Sequence, residues 1–132
     1  MNFTGKRKSE FIGRMAERFA IVYMLFKGYR CIALRYKCFA GEIDLIFKRG
    51  QSVVFCEVKY RTRKDTLLYS VTPTQKKRIR RAAEFWLAQQ HQSQHVRQGR
   101  PVRQGRPVRH NIRFDFIGLT LWQKPIHIKN AF

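Results

Sequence analysis

Acidic residues are scarce in this chain of 132 residues, which has eight Asp and Glu against 28 Lys and Arg and a formal net charge of +20 at pH 7. Such an excess destabilises a compact state by self-repulsion unless a polyanion or counterions offset it. Nucleic acid is the default polyanion, and an anionic membrane surface is the alternative. The composition therefore predicts that the protein binds nucleic acid.

Paired cysteines, long apolar runs and a signal sequence are also missing. The three cysteines, Cys31, Cys38 and Cys56, are odd in number and lack CxxC spacing, which argues against a zinc site and favours small, buried or half-buried apolar residues. The longest apolar run, residues 19–26, is too short to span a membrane, and no apolar signal core follows the basic N-terminus. We therefore expect a cytoplasmic protein without a membrane partner.

The length fits one domain, and an apolar content of 44% with 11 Phe supports a true hydrophobic core. Residues 1–10 are polar and basic and predict an N-terminal tail, which leaves residues 11–132 as the domain. Within it, the hexapeptide VRQGRP at residues 96–101 is repeated directly at residues 102–107. Its Gly and Pro argue against a helix or strand, so we expect an Arg-rich loop insertion at about residues 94–110.

Apolar periodicity predicts two helices. Apolar residues recur at spacings of three and four over residues 9–27, with Ser9 as a candidate N-cap. A second helix is predicted over residues 74–90, with Thr74 as its N-cap and an apolar inner stripe. Strands are predicted over residues 29–36 and 112–122.

The segment GEIDLIFKRGQSVVFCEVKYR concentrates acids inside two otherwise apolar, β-rich runs. A two-residue Gly50–Gln51 turn of type II′ is one way to join these runs as a hairpin, and it places Asp44 directly opposite Glu57 and Glu42 opposite Lys59. A four-residue turn would shift these pairs along the strands but keep all four polar groups on one face. Strand alternation then puts these four polar groups on one face with Ile46 and Phe55, and Ile43 on the other face with Leu45 and Phe47.

Opposed carboxylates at Asp44 and Glu57 would have Cβ atoms about 5 Å apart. Two like charges near 4 Å repel by roughly 4 kcal/mol at an effective dielectric of 20. A raised pKa, a nearby cation such as Lys59, or a hard divalent ion such as Mg²⁺ would relieve the repulsion. The alternative is a solvent-exposed hairpin face with a Glu42–Lys59 ion pair worth under about 1 kcal/mol.

Five segments, in this order along the chain, resemble the YraN family: GRMAERFAIVYMLFKGYR, GEIDLIF, VVFCEVKYR, TQKKRIRRAAEFWL and RFDFI. That family is similar to archaeal Holliday junction resolvases and belongs with the PD-(D/E)XK nuclease-like fold. The resemblance covers roughly residues 13–90 and 113–118. It implies an α/β, restriction-endonuclease-like domain, with a small mixed β-sheet and a central hairpin flanked by helices.

The resemblance also implies site residues. Asp44, Glu57 and Lys59 match the catalytic set, and Asp44 and Glu57 would bind Mg²⁺ or Mn²⁺. Glu17 matches an acid that the superfamily often adds to the metal site, although an ion pair with a neighbouring arginine of its helix is the alternative. Glu42 and Gln75 are additional active-site candidates.

Basic residues that would contact phosphate lie after the second hairpin strand, on the second helix and in the duplicated segment. No acid occurs in residues 85–114 to balance the arginines there, and a spacing of three would align them on one edge of a polyproline II helix. The candidates are Arg61, Arg63, Lys76, Lys77, Arg80, Arg97, Arg100, Arg103, Arg106 and Arg109.

Other polar and aromatic residues have structural interpretations. Asp115 is expected to pair with Arg113 on the late strand, and Trp86 and Trp122 are expected in the core. The four histidines are scattered in polar context and show no ligand spacing.

These patterns predict a metal-dependent endonuclease-like protein that binds DNA, with branched DNA as the substrate implied by the resemblance. A catalytically silent DNA- or RNA-binding protein of the same fold is the alternative. A basic protein that binds acidic partners or anionic lipid is a third class, supported by charge alone. A homodimer is implied because resolvase-like nucleases need two active sites to cut two strands.

Overall fold

The two β-rich runs form the centre of a five-stranded sheet in the computed structural model, which describes residues 3–67, 71–97, 99 and 111–132. In chain order the elements are α1 (Phe3–Phe26), β1 (Arg30–Cys38), β2 (Gly41–Arg49), β3 (Ser52–Tyr60), α2 (Lys64–Leu67), α3 (Pro73–Arg97), β4 (Asn111–Leu119) and β5 (Ile126–Ile128). The strands lie in the order β1-β2-β3-β4-β5, with β3 and β4 parallel and the other neighbours antiparallel. The predicted α/β class with a mixed sheet is confirmed.

The hairpin turn is the one that the sequence predicts. The β2–β3 register begins with Arg49 opposite Ser52, which leaves Gly50 and Gln51 as the two turn residues. Gly50 has a φ of 57°, the left-handed conformation that a type II′ turn requires at its first position and that glycine adopts without steric cost. The turn therefore fixes which residues of β2 and β3 face each other.

Each face of the sheet carries one helix and one half of the core. On one face α1 contributes Ala16, Ala20 and Met24, which pack with Leu45, Phe47, Val54 and Cys56. On the other face α3 contributes the predicted stripe of Ile79, Ala82, Ala83 and Trp86, which packs with Ile46 and Phe55. None of the helices in the described ranges is long and apolar enough to cross a membrane.

Strand alternation breaks at Asp44, and this corrects one prediction. Leu45 packs toward α1 as expected, but Ile43 packs toward α3 together with Ile46. The last β2–β3 pair in the ladder is Leu45 with Cys56, and beyond it the backbone N–H of Val58 donates to Asp44 Oδ2 at 2.8 Å. A side chain thus replaces the next backbone acceptor, and the strand changes face there.

Both helices begin elsewhere than predicted. Helix α1 starts at Phe3, so Ser9 lies inside it, and residues 3–10 of the predicted tail are helical. The Ser9 hydroxyl donates to the Lys6 carbonyl at 2.9 Å and caps nothing. For α3 the N-cap is Thr72: its hydroxyl accepts from the N–H of Gln75 at 3.2 Å, and Gln75 Oε1 accepts from the N–H of Thr72 at 3.0 Å. This capping box leaves Thr74 inside the helix.

The late strand is anchored by a buried polar network. Asp115 is fully buried and, as predicted, pairs with Arg113, whose Nε lies 2.7 Å from its Oδ1. His127 Nε2 and the N–H of Asn130 also bond this carboxylate, at 2.7 and 3.1 Å. Burial alone would raise the pKa of Asp115, but these hydrogen bonds lower that pKa by more, so the net shift is below the ordinary value of 3.8. The carboxylate therefore stays ionised and ties β5 to β4.

The two tryptophans have different environments. Trp86 is buried against Phe55, which confirms the expected core position. Trp122 is 94% exposed with a φ of 61°, in the turn between β4 and β5, so its predicted core position is wrong. The short strand β5, which the sequence did not indicate, explains the difference, because the chain must reverse directly after β4 to form it.

Candidate active site

Asp44 and Glu57 lie side by side where β2 and β3 stop pairing. Glu57 is buried and Asp44 is half-buried, and each carboxyl group affects the pKa of the other. Burial raises the pKa of Asp44 to about 8, with the negative charge of Glu57 as the second cause. Burial also raises the pKa of Glu57, while Lys59 partly offsets the rise. The predicted juxtaposition of the two acids is confirmed.

Lys59 reaches the second acid of this pair. Its Nζ lies 3.3 Å from Glu57 Oε1, and both side chains are mostly buried. Glu42 pairs instead with the exposed Lys37, at 3.8 Å. The alternative prediction, a solvent-exposed hairpin face with a Glu42–Lys59 ion pair, is therefore wrong, because Lys59 pairs with the buried carboxylate of Glu57.

A cleft of about 410 Å³ opens beside the two acids, between the hairpin and α3. Asp44, Glu57 and Glu42 line one wall, and Gln75 and Arg78 line the other. The walls approach closely at Gly41, where a Cβ atom would lie 2.9 Å from the backbone oxygen of Arg78. Glycine at this position therefore allows α3 to form a wall of the cleft.

Gln75 lines the cleft and also closes the capping box of α3. Its oxygen accepts from the N–H of Thr72, so the side chain is held in place at the cleft. Arg78 lies one helical turn further along the same face. Sequence reasoning missed Arg78, although its spacing of three from Gln75 was a usable signal.

Glu17 has a partner that neither sequence interpretation named. Arg35 Nε on β1 lies 2.7 Å from Glu17 Oε2, across from helix α1. Arg35 has a φ of 51°, which is uncommon for a residue with a long side chain. The charge of Glu17 still contributes to the raised pKa of Asp44, so the acid lies in the electrostatic neighbourhood of the site.

The donor set suits a hard divalent cation. Asp44 and Glu57 offer carboxylate oxygens, and Mg²⁺ is usually held by one or two carboxylates together with water and phosphate oxygens. Within the described residues, no three Asp, Glu, His or Cys side chains are grouped so that they could hold a metal ion. Asp44 and Glu57 are thus the two carboxylates available for such an ion, and a metal-binding role for them and for Glu17 stays a prediction.

The basic candidates fall into three groups. Arg61 and Arg63 are exposed after β3, and Arg63 pairs with Asp65 at 2.9 Å. Lys76, Lys77 and Arg80 lie in the first turns of α3, and Arg97 is exposed at its last residue. The remaining candidates, Arg100, Arg103, Arg106 and Arg109, lie outside the described residues.

Comparison with known proteins identifies the family. The model of the uncharacterised protein family UPF0102 matches residues 16–119. The chain belongs to this family. It is 36% identical over 129 residues to a UPF0102 protein of Rhizobium meliloti (strain 1021), covering 98% of this chain and 94% of the relative.

Other UPF0102 relatives match over nearly the same length. One, from Sinorhizobium medicae (strain WSM419), is 36% identical over 91% of this chain and 87% of its own length. Another, from Bartonella bacilliformis (strain ATCC 35685 / KC583 / Herrer 020/F12,63), is 35% identical over 96% of this chain and 93% of its own length. The family resemblance expected from the motifs is confirmed, and the relatives' names carry no activity.

We expect Asp44→Asn to stabilise the metal-free protein at pH 8 by about 1–3 kcal/mol. The pKa of Asp44 is about 8 in the folded protein and 3.8 ordinarily, so between these values the folded state binds a proton that the unfolded state has lost. The free energy of unfolding of wild type is therefore highest below about pH 4 and falls as the pH rises to 8. The side-chain amide of the Asp44→Asn variant is uncharged at every pH, whereas the wild-type carboxyl is uncharged only when protonated. The difference in free energy of unfolding between variant and wild type should therefore shrink toward pH 4. Urea unfolding in EDTA at several pH values measures the difference.

Asp65→Asn is the matched control for this measurement, because Asp65 is exposed and its carboxylate bonds to Arg63 and to the N–H of Thr66, both at the surface. It should change stability by under about 1 kcal/mol. If metal-free Asp44→Asn were less stable than wild type at pH 8, the prediction would be wrong, because the ionised Asp44 carboxylate would then not lower the free energy of unfolding.

Proposed function

We propose that this UPF0102 protein is a metal-dependent endonuclease that acts on DNA, with branched DNA as its substrate. The observation that supports this most is the buried pair of Asp44 and Glu57, with Lys59 bonded to one of them. A protein short of acids places two of them together at a cost in stability. A bound divalent cation would remove that cost by displacing the proton and satisfying both carboxylates.

The side chains divide the chemistry between them. Asp44 and Glu57 would hold Mg²⁺ or Mn²⁺, which when bound lowers the pKa of water and neutralises charge on a phosphodiester. Val58 N–H fixes the orientation of the Asp44 carboxylate through its 2.8 Å hydrogen bond. Lys59, held against Glu57, is placed to orient the attacking water or to neutralise oxygens of the reacting phosphate.

Basic side chains at the cleft would bring the DNA strand to these carboxylates. Arg78 and Lys37 line the cleft together with the acids, and both are exposed to solvent. The net charge of +20 steers a polyanion toward the surface from long range. Binding should therefore weaken steeply with salt, about 10³- to 10⁵-fold from 50 to 200 mM if six to ten phosphates are contacted.

A catalytically silent DNA- or RNA-binding protein is the second candidate, and one specific observation favours it. Glu17 is tied to Arg35 at 2.7 Å rather than directed to the other two acids. If that ion pair persists when nucleic acid is bound, only two carboxylates remain for the metal. Binding without metal dependence would then be the expected behaviour.

We expect purified protein to cut labelled four-way junction DNA with Mg²⁺ or Mn²⁺, and Asp44→Asn or Glu57→Gln to reduce cutting at least about 100-fold. Both variants should keep DNA binding, since neither residue contributes positive charge. Cleavage and gel-shift assays on the same preparations measure the two properties. Glu84→Gln, on the exposed side of α3, is the control and should cut normally.

Equal cleavage by wild type and both site variants would mean that a contaminating nuclease is responsible and would overturn the endonuclease proposal. Salt-sensitive binding without any cleavage would establish the silent binding protein instead. Because Asp44→Asn is expected to be at least as stable as wild type, its loss of cutting could not be attributed to unfolding.

We further propose a homodimer that forms through an exposed apolar stripe on α1. Phe11, Met15, Phe19, Val22 and Phe26 follow one another at helical spacing and are between 49% and 88% exposed. Taking about 200 Å² per aromatic side chain, the three phenylalanines alone expose roughly 400 Å², half of the ~800 Å² that each partner buries in a standard interface. Phe19 is at the centre of the stripe, with two apolar residues before it and two after it at similar spacings. Two copies of α1 packed antiparallel would therefore bring the two stripes into contact along their whole length.

Light scattering should give twice the chain mass for wild type, and Phe19→Glu should give a monomer because it places a charge at the centre of the interface. Phe19 is 56% exposed in the single chain, so the substitution should leave the fold intact. Arg18→Glu, the neighbouring exposed position, is the control for added negative charge. A wild-type monomer at every concentration, with and without DNA, would contradict the dimer.

A further inference from the structure

Phe39 is an exposed aromatic ring next in the chain to residues that line the cleft. It lies in the turn between β1 and β2, and 89% of its surface is open to solvent. It contacts Phe85 of α3, at 5.1 Å between ring centroids and an angle of 88° between the planes. An edge-to-face contact of this kind orients the ring and leaves at least one of its faces uncovered.

A single exposed phenylalanine on a protein surface is ordinary, so the exposure by itself carries no function. The location of Phe39 is what distinguishes it. Its neighbours Cys38 and Gly41 both line the cleft that contains Asp44, and Gly41 packs directly against Arg78. Asp44 is three positions beyond Gly41 along β2, a distance of roughly 10 Å along an extended strand.

Basic residues lie near this turn in the chain and on the facing helix. Lys37 is two residues before Phe39 on β1, Arg78 of α3 packs against Gly41 at the end of the turn, and Arg81 is exposed one helical turn further along α3. Glu42, the nearest acid on β2, is already paired with Lys37. An aromatic face held between cations is the arrangement by which proteins bind unpaired nucleotides, since the cations contact phosphates while a base stacks on the ring.

We propose that Phe39 is a stacking site for an unpaired DNA base, next to the phosphate that the cleft holds. The proposal rests on the endonuclease function and gives its substrate class: a strand with an unstacked base close to the reacting phosphate, as in junctions, flaps and gaps. An intact duplex keeps its bases stacked on each other and offers only its backbone to the cleft. The ring therefore selects for structure rather than for base sequence.

Phe39→Leu tests this, because it removes the aromatic face and keeps an apolar side chain of similar size. We expect its affinity for gapped duplex to fall about 5- to 140-fold, the effect of losing one stacked base. Affinity for intact duplex of the same length should stay within about twofold, and Phe39→Trp should restore gapped-duplex binding. Trp122→Leu is the matched control, since Trp122 is equally exposed but lies in the β4–β5 turn.

The probe is a gapped duplex with 2-aminopurine in the gap, whose fluorescence is quenched when the base stacks on an aromatic ring. Quenching by wild type that is lost in Phe39→Leu, with duplex binding unchanged, supports the stacking site. Equal loss of affinity for both DNAs, or no loss for either, overturns it while leaving the endonuclease proposal intact. Failure of wild type to bind any DNA overturns both.

Discussion

The burial of two neighbouring carboxylates is the constraint on which the rest of this structure depends. Ionising both Asp44 and Glu57 is unfavourable where the two lie together with limited access to solvent, and Lys59 reaches only Glu57. Several local features keep the pair together in spite of this. The type II′ turn at Gly50 sets the register, and the Val58 N–H holds the Asp44 carboxylate where the strands separate.

Acidic and basic side chains occupy different parts of this protein. Most of the chain's charge is positive and exposed, whereas Glu57 and Asp115 are buried and Asp44 is half-buried. Asp44 and Glu57 face the cleft, while Asp115 is bonded by Arg113 and His127 and holds β4 and β5 together. This separation of charge is what the proposed function uses, because it would let the positive surface attract a polyanion while the two carboxylates hold a divalent cation.

The sequence was most informative where period-two alternation and turn chemistry agree. Gly50 at the first turn position, with β-rich runs on both sides, favours the two-residue turn that brings Asp44 opposite Glu57, and the structure has this turn. The face of Ile43 could not be predicted in this way, because alternation assumes a continuous ladder and Asp44 interrupts it with a side-chain hydrogen bond.

Residues that depend on tertiary packing were harder to find from the sequence. Arg35 and Arg78 reach the site only because β1 and α3 fold against the hairpin. The N-cap of α3 is Thr72, which forms a capping box with Gln75, whereas the sequence pattern predicts Thr74 two residues later. Trp122 is exposed because it lies in the turn that leads into β5, a strand that the sequence pattern does not indicate.

Titration calorimetry with Mn²⁺ at pH 7 tests the central claim most directly, that the buried carboxylates form a metal site. We expect one ion per chain, with about one proton released because Asp44 is protonated below its pKa of about 8. Repeating the titration in buffers of different ionisation enthalpy measures that proton. Binding should disappear in Asp44→Asn and Glu57→Gln. Absence of Mn²⁺ binding in wild type, or equal binding in both variants, would contradict the metal site.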